Sequence, residues 1–383
     1  NCWRTDKPIL YYPMDSWFIK VSAIRDRLTA LNKKINWKPK ATGEKRFGNW
    51  LANANDWNLS RSRFWGIPLP IWRSEDGKKE IIIGSVEELF DEVENSIKKG
   101  IMVSNPLIDF KVGEMSDTNY EKIDLHKDFV DEIVLSTKDG MPLYREKEII
   151  DVWFDSGAMP YAQWHYPFEN KEIFEKNFPA DFITEGMDQT RGWFYTLHTL
   201  ATLLFSIKAV PEQIAFKNCI SHGIILDGNG QKMSKSKGNV VEPFEVINKH
   251  GADAIRWYMF TASPPGNTRR FSSALVEESS RKTFTTLWNV YSFFVTYANL
   301  SNFSVQEKLL VSDQKTELDV WIQSELNETI KKVTEGLEKY EPSEAARPIN
   351  HFIEQLSNWY VRRNRRRFWK TDNSTDSLIA LNI

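Results

Sequence analysis

The sequence predicts an α/β domain that carries a charged insertion and passes into an all-α helix bundle. Three observations lead there. From residue 149 short strand-like runs alternate with helical ones, after Pro243 nearly every run has helical spacing, and residues 74–148 break the pattern with a charged stretch. A chain of 383 residues is long enough for two or three domains with real cores. Its 41% hydrophobic and 27% charged content are those of an ordinary soluble protein.

The elements follow in order. Residues 14–34 read as an amphipathic helix, with Trp17, Val21, Ile24, Leu28 and Leu31 at helical spacing. A polar, aromatic stretch at 47–72 comes next, and the insertion then holds the apolar run Ile81-Ile82-Ile83 and an acidic helix near 86–99. Asp181-Phe182-Ile183-Thr184-Glu185 reads as a strand ending in a carboxylate, followed by a helix that buries Trp193, Leu197, Leu200 and Leu204 on one face. A second strand at about 214–226 completes a strand–helix–strand unit, expected to be parallel and right-handed, with ligands beyond the carboxyl ends of its strands. Residues 244–263 form one or two helices and 280–300 a long aromatic one. Ile322, Leu326, Ile330, Val333 and Leu337 mark another stripe. A last helix over 344–369 ends in Arg362, Arg363, Arg365, Arg366, Arg367 and Lys370.

Composition removes several classes. Two cysteines, Cys2 and Cys219, make neither a four-cysteine zinc site nor a disulfide framework, which fits a reducing cytoplasm. No apolar run approaches the roughly 18 residues a membrane helix needs, so no membrane contact is expected. A net charge of −2 points to no partner by itself. The chain opens on Asn1-Cys2-Trp3-Arg4 and stops at Leu381-Asn382-Ile383, and the expectation is a piece of a longer protein.

The most informative segment is Lys232-Met233-Ser234-Lys235-Ser236, just after the turn Asp227-Gly228-Asn229-Gly230. Two lysines and two hydroxyls on one short loop suit the oxygens of a polyphosphate, and the ammonium groups suit charge developing on a leaving group. Glu185, Gly186 and Asp188 fall at a neighbouring strand end. Carboxylates at such a place can accept from ribose hydroxyls and a glycine permits close backbone approach; Asp188 would alternatively cap the next helix.

Together with three further segments, this loop resembles the class I aminoacyl-tRNA synthetases, and among them the isoleucine enzymes. The segments are Asp56-Trp57-Asn58-Leu59-Ser60-Arg61-Ser62-Arg63-Phe64-Trp65-Gly66-Ile67-Pro68, Asp151-Val152-Trp153-Phe154-Asp155-Ser156-Gly157 and Glu185-Gly186-Met187-Asp188-Gln189-Thr190-Arg191-Gly192-Trp193. The resemblance covers nearly the whole chain and is weakest over the insertion. It implies the second half of a Rossmann-like catalytic domain followed by an anticodon-binding bundle. The parts would be the end of a connective insertion (1–73), the charged insertion (74–148), the catalytic half-fold (149–242), junction helices (243–279) and a partial anticodon-binding domain (280–383).

The resemblance also assigns roles. Lys232 and Lys235 would be catalytic. Glu185, Gly186 and Asp188, with Lys232, Met233, Ser234, Lys235 and Ser236, would hold ATP and the adenylate. Trp153, Gln189 and Trp193 would take the amino acid, with Gln189 toward its amino end. Arg362, Arg363, Arg365, Arg366 and Arg367 would meet tRNA phosphates. The implied substrates are ATP with Mg²⁺, isoleucine and tRNA(Ile), with no obligate protein partner; valyl or leucyl specificity, or a non-catalytic tRNA-binding paralogue, are the alternatives. The family's first signature, His-x-Gly-His, is missing from this sequence, so the piece is expected to be inactive alone. Ser136-Thr137-Lys138-Asp139-Gly140 carries no cysteine pair where many relatives hold zinc, so no metal site is expected. Threonine-rich and His-Ala-Pro segments of an editing domain are likewise missing, so no editing is expected of this piece.

Overall fold

A computed structural model of the chain describes residues 1–2, 5–10, 12–234, 237–305, 314–369 and 374–383. Its internal contacts define two units. One comprises Asn1–Ile35, Glu44–Asp181 and Asp188–Lys217; the other comprises Asn36–Gly43, Phe182–Met187 and Asn218–Ile383.

In the first unit the insertion folds around a core of its own. Strands ordered Glu80–Ile82, Ile71–Arg73, Pro142–Arg145 and Val134–Ser136 form an antiparallel sheet. Helix Val86–Lys98 starts at Ser85, whose hydroxyl accepts from Glu88 N, and carries Glu87 and Glu88 at its positive end. Leu89 and Val93, one turn apart, close on Trp72, Leu107, Leu135 and Leu143.

Two expectations change in this unit. Residues 14–34 are not one helix: Phe18–Ile19 pairs antiparallel with Trp57–Asn58, and α-helix runs only over Arg25–Asn32 after a 3₁₀ turn at Val21–Ile24. The amide of Trp17 donates to Ser60 Oγ at 3.0 Å and its carbonyl accepts from Leu59 N at 2.8 Å, so long-range backbone pairing overrides the helical period. Helix Trp193–Ser206 is buried all round from Phe194 to Thr202, rather than on one face. The threonines between the large apolar residues are buried too, and two of them bond back into the helix, Thr196 Oγ1 to Trp193 O at 3.2 Å and Thr202 Oγ1 to His198 O at 2.8 Å. Buried His198 bonds Leu28 O through Nε2, and burial pulls its pKa down to about 4, so the ring is neutral.

The second unit is built on most of a three-stranded sheet ordered Ala180–Gly186, Phe216–His222, Asn36–Lys38, the last two parallel. Helices Pro243–His250, Ala252–Thr261 and Ser273–Ser280 enclose Val246, Ala254, Tyr258 and Val276. Beyond them the described residues are mostly helical, as expected. Helix Glu317–Glu338 turns back into Pro342–Gln355, which continues through Leu356–Val361 into Arg362–Trp369. Gly336 lets the two legs of this hairpin close, because a Cβ there would lie 3.0 Å from that of Ala345. The stripe at 322–337 is fully covered only at its start: Ile322 is buried and Val333 half-buried, whereas Leu326, Ile330 and Leu337 are exposed. An apolar period says that a face favours cover, not where the cover comes from.

Candidate functional site

The lysine loop leaves a short strand, Ile225–Leu226, that pairs parallel with Arg269–Arg270. Asp227 then folds the turn: its Oδ1 accepts from Asn229 N at 3.0 Å and Gln231 N at 2.7 Å. Its Oδ2 accepts from Asn239 Nδ2 at 2.8 Å, on the far side of the loop. Asn239 in turn holds Lys232 O (3.2 Å) and accepts from Ser234 N (2.9 Å), so two side chains stitch both ends of the loop together. These bonds, led by the Gln231 amide and Asn239, hold the Asp227 carboxyl below the usual carboxylate range. Gly230 has φ of +82°, which the tight turn requires.

Lys232 is exposed above this turn. Met233 is half-buried, its side chain packed against the core of Val246, Tyr258 and Phe271, which anchors the loop from below. Lys235 and Ser236 lie outside the described residues, and so does Lys370. Neither Asp227 nor Asn239 was singled out as a site residue. The Asp-Gly-Asn-Gly turn signal was the one available hint of the first.

Glu185 is exposed near the end of strand Ala180–Gly186, where Thr184 Oγ1 donates to Ile220 O of the neighbouring strand at 2.9 Å. Asp188 and Gln189 lie on the following 3₁₀ turn, Met187–Arg191. The next helix's first amide, Trp193 N, donates to Gln189 Oε1 at 2.9 Å and not to Asp188. Gln189 Nε2 donates to Asp188 Oδ2 at 3.3 Å.

The three residues assigned to the amino acid come together in the first unit. A Cβ on Gly192 would stand 2.6 Å from Gln189 Oε1 and 3.2 Å from the Trp153 ring, so Trp153, Gln189 and Gly192 touch. Trp193 is fixed beside them by its indole N–H, which donates to Ser156 O at 3.1 Å. Trp153 keeps 41% of its surface exposed. Sequence reasoning missed Asp151, which ties the segments together. Its carboxylate accepts from Trp153 N, Trp57 Nε1 and Arg61 Nη2, at 3.3, 3.0 and 2.7 Å. Asp155, one turn on, lines a cleft of about 740 Å³ with Arg61, Arg63, Trp65 and His126, and burial followed by the charge of Asp151 raises its pKa.

The arginine run divides. Arg362, Arg363, Arg365 and Arg366 are exposed, with the Arg363 guanidinium 5.0 Å from the centre of the Trp359 ring. Arg367 is a correction. Its Nη1 and Nη2 grip both oxygens of fully buried Asp319, at 2.8 and 2.9 Å, and its Nε donates to Asp376 at 2.7 Å. Tyr360 OH also donates to Asp319, at 2.7 Å. Burial pushes the Asp319 carboxyl up, but the bonds from Arg367 and Tyr360 outweigh it and hold the pKa below the usual value. This guanidinium is part of the bundle core, whereas the other four arginines of the run are exposed.

Among the described residues, no three His, Cys, Asp or Glu side chains group closely enough to hold a metal ion. No helix among them is long and apolar enough to cross a membrane. Glu185, Gly186, the lysine loop and the arginines belong to the second unit; Trp153, Asp188, Gln189 and Trp193 belong to the first.

Comparison with known proteins adds to this geometry. Residues 5–272 match the family tRNA synthetases class I (I, L, M and V), and residues 319–382 match the anticodon-binding domain of tRNA ligase. Isoleucine–tRNA ligases of Porphyromonas gingivalis and Cytophaga hutchinsonii are each 55% identical over 99% of this chain, and that of Clostridium novyi is 49% identical over 99%. The chain spans about a third of the length of these relatives, 33%, 32% and 34% respectively. Among solved structures, Mycobacterium tuberculosis methionyl-tRNA synthetase in complex with methionyl-adenylate superposes with a TM-score of 0.64 at 16% identity, covering 99% of this chain and 58% of that one. The Agrobacterium radiobacter K84 leucyl enzyme, in a ternary complex with tRNA, gives 0.51 at 18% identity, covering 85% and 42%. At these identities the two structures speak to the fold alone.

Proposed function

The chain belongs to the class I tRNA synthetase family, and from that premise we propose that it is part of an isoleucine–tRNA ligase of the cytoplasm. The parent enzyme joins isoleucine to ATP as the adenylate, with release of pyrophosphate, and passes the isoleucyl group to tRNA(Ile). The observation that carries this reading is the lysine loop, held at both ends by Asp227 and Asn239 so that Lys232 stands exposed. The specificity rests on the relatives named for isoleucine and on the cluster of Trp153, Gln189 and Trp193.

In the first step the isoleucine carboxylate attacks the α-phosphorus and the bond to pyrophosphate breaks. That chemistry needs alignment and cationic stabilisation of the triphosphate more than a general base. Lys232 and Lys235 neutralise charge on the leaving pyrophosphate, and Mg²⁺ arrives with ATP as part of the substrate. Glu185 and Asp188 accept from ribose hydroxyls, with Gly186 admitting the nucleotide to the backbone. Trp153 and Trp193 form flat apolar walls for a side chain without a polar handle, and Gln189 faces the amino end. In the second step a terminal ribose hydroxyl of tRNA attacks the carbonyl and AMP leaves. Arg362, Arg363, Arg365 and Arg366 hold the tRNA backbone.

Residues 149–242 are then the second half of the catalytic fold, behind the end of a connective insertion at 1–73 and the charged insertion at 74–148. Residues 243–279 are the junction and 280–383 part of the anticodon-binding bundle. The test is amino-acid-dependent exchange of pyrophosphate into ATP by the full-length gene product. Isoleucine is expected to support it with the highest kcat/KM, and a preference for valine or leucine overturns the assignment. The 383-residue chain alone, without a His-x-Gly-His segment, is expected to support none.

A further inference from the structure

The turn joining helices Glu317–Glu338 and Pro342–Gln355 has a side chain where glycine is usual. Glu341 N donates to Gly336 O at 2.8 Å and Tyr340 N to Leu337 O at 2.9 Å, the paired bonds of a Schellman helix end. Tyr340 stands at its left-handed position with φ of +57°. That conformation disfavours every side chain, and a bulky aromatic there points to a task for the ring. The ring stacks on Phe182, centroids 5.3 Å apart and planes 11° from parallel. The next residue, Glu341, accepts from Lys38 Nζ at 2.6 Å.

Phe182 and Lys38 belong to the two outer strands of the sheet ordered Ala180–Gly186, Phe216–His222, Asn36–Lys38. Two adjacent residues of one helix turn therefore hold both edges of that sheet, and all four residues lie within the second unit. Ser343 anchors the same turn from behind, its hydroxyl donating to Phe260 O and Ser263 O at 2.8 and 3.0 Å. Phe182 is three residues before Glu185, roughly 10 Å along the strand, and alternation puts the two on opposite faces. The turn thus bears on the back of the strand and leaves the Glu185 face open. Helix Pro342–Gln355, which begins at this turn, continues into the exposed arginines.

We propose that Tyr340 and Glu341 form a positioning clamp that sets the strand carrying Glu185, so that the helix bearing the tRNA-facing arginines also fixes the nucleotide-binding edge of the sheet. The clamp rests on the reading of Glu185 as a ribose partner. Glycine relieves the left-handed cap but removes the ring, so Tyr340→Gly separates the two roles. In the full-length enzyme, pyrophosphate exchange by Tyr340→Gly is expected to show a KM for ATP raised roughly three- to tenfold, from loss of one aromatic stack, with the KM for isoleucine unchanged. Its thermal midpoint is expected to be no lower than that of the parent, and Tyr340→Phe is expected to match the parent in every respect.

Glu185→Gln is measured alongside and is expected to raise the KM for ATP. If it does so while Tyr340→Gly does not, the clamp is wrong and the ribose reading stands. If Glu185→Gln leaves that KM unchanged, the ribose reading falls and the clamp falls with it. A proportional rise in both substrates' KM for Tyr340→Gly, or equal damage by Tyr340→Phe, also overturns the proposal.

Discussion

Replacing Arg367 with alanine strips the grip from a carboxylate that has nowhere to go. Asp319 is fully buried and Arg367 is 11% exposed, while the side-chain donors that would remain on the carboxylate, Tyr360 OH and Thr316 Oγ1, are neutral. Breaking one partner out of such a buried pair costs about 3–5 kcal/mol, because the other charge stays buried and poorly compensated. At about 1.4 kcal/mol per factor of ten, that is at least a hundredfold in the opening equilibrium of the bundle. Amide hydrogen exchange over 317–322 and 360–368 reads this directly, and should accelerate by that factor in Arg367→Ala. Swapping the cluster for apolar residues of similar size, with Asp319→Leu, Arg367→Met and Tyr360→Phe together, should recover most of the loss.

The sign with pH follows from the lowered Asp319 pKa. The stabilisation is complete above the ordinary aspartate value of 3.8 and is lost as pH falls through the lower folded value, so acid should loosen the bundle below about pH 4. Unchanged exchange in Arg367→Ala, together with tRNA affinity reduced as much as in Arg363→Ala, would refute the reasoning. Arg367 would then belong with its neighbours.

Alanine at Asp227 removes the acceptor for Asn229 N, Gln231 N and Asn239 Nδ2, and in the full-length enzyme the KM for ATP is expected to rise about tenfold or more, with that for isoleucine little changed. Gly192→Ala would put a methyl group 2.6 Å from Gln189 Oε1 and against Trp153. The opposite pattern is expected in the same exchange assay, a raised KM for isoleucine with ATP less affected. Alanine at Arg362, Arg363, Arg365 or Arg366 should weaken tRNA binding across sequences. Each arginine that pairs with a phosphate should reduce the log–log salt slope by about 1 when replaced, measured by filter binding at several ionic strengths.

Much of the chemistry is local, and local chemistry is legible. The lysine loop, the carboxylate at a strand end and the tryptophan segments are short runs whose residue types and order carry the family resemblance. The order of strand, helix and strand, and the switch to helices after Pro243, follow from hydrophobic period alone. Facing is another matter. The helical period over 14–34 lost to strand pairing at Phe18–Ile19, since Trp17 and Ser60 are distant in sequence. Five arginines in one run look alike as text, yet Arg367 shares a helical face with buried Tyr360, Asn364 and Phe368 and so meets Asp319, 48 residues away. Met233 reads as one more residue of the loop, and only the fold shows its side chain packed on the core beneath.

The sequence by itself determined which kinds of groups stand on the lysine loop, at the strand end and in the tryptophan segments, because those are properties of side chains on short stretches of backbone. Only the tertiary structure decided which of them stay available. A charge or an aromatic ring is used up by whatever the fold sets beside it, and Asp227 with Asn239, Asp151 with Arg61, and Tyr340 with Phe182 are contacts between residues 12, 90 and 158 positions apart.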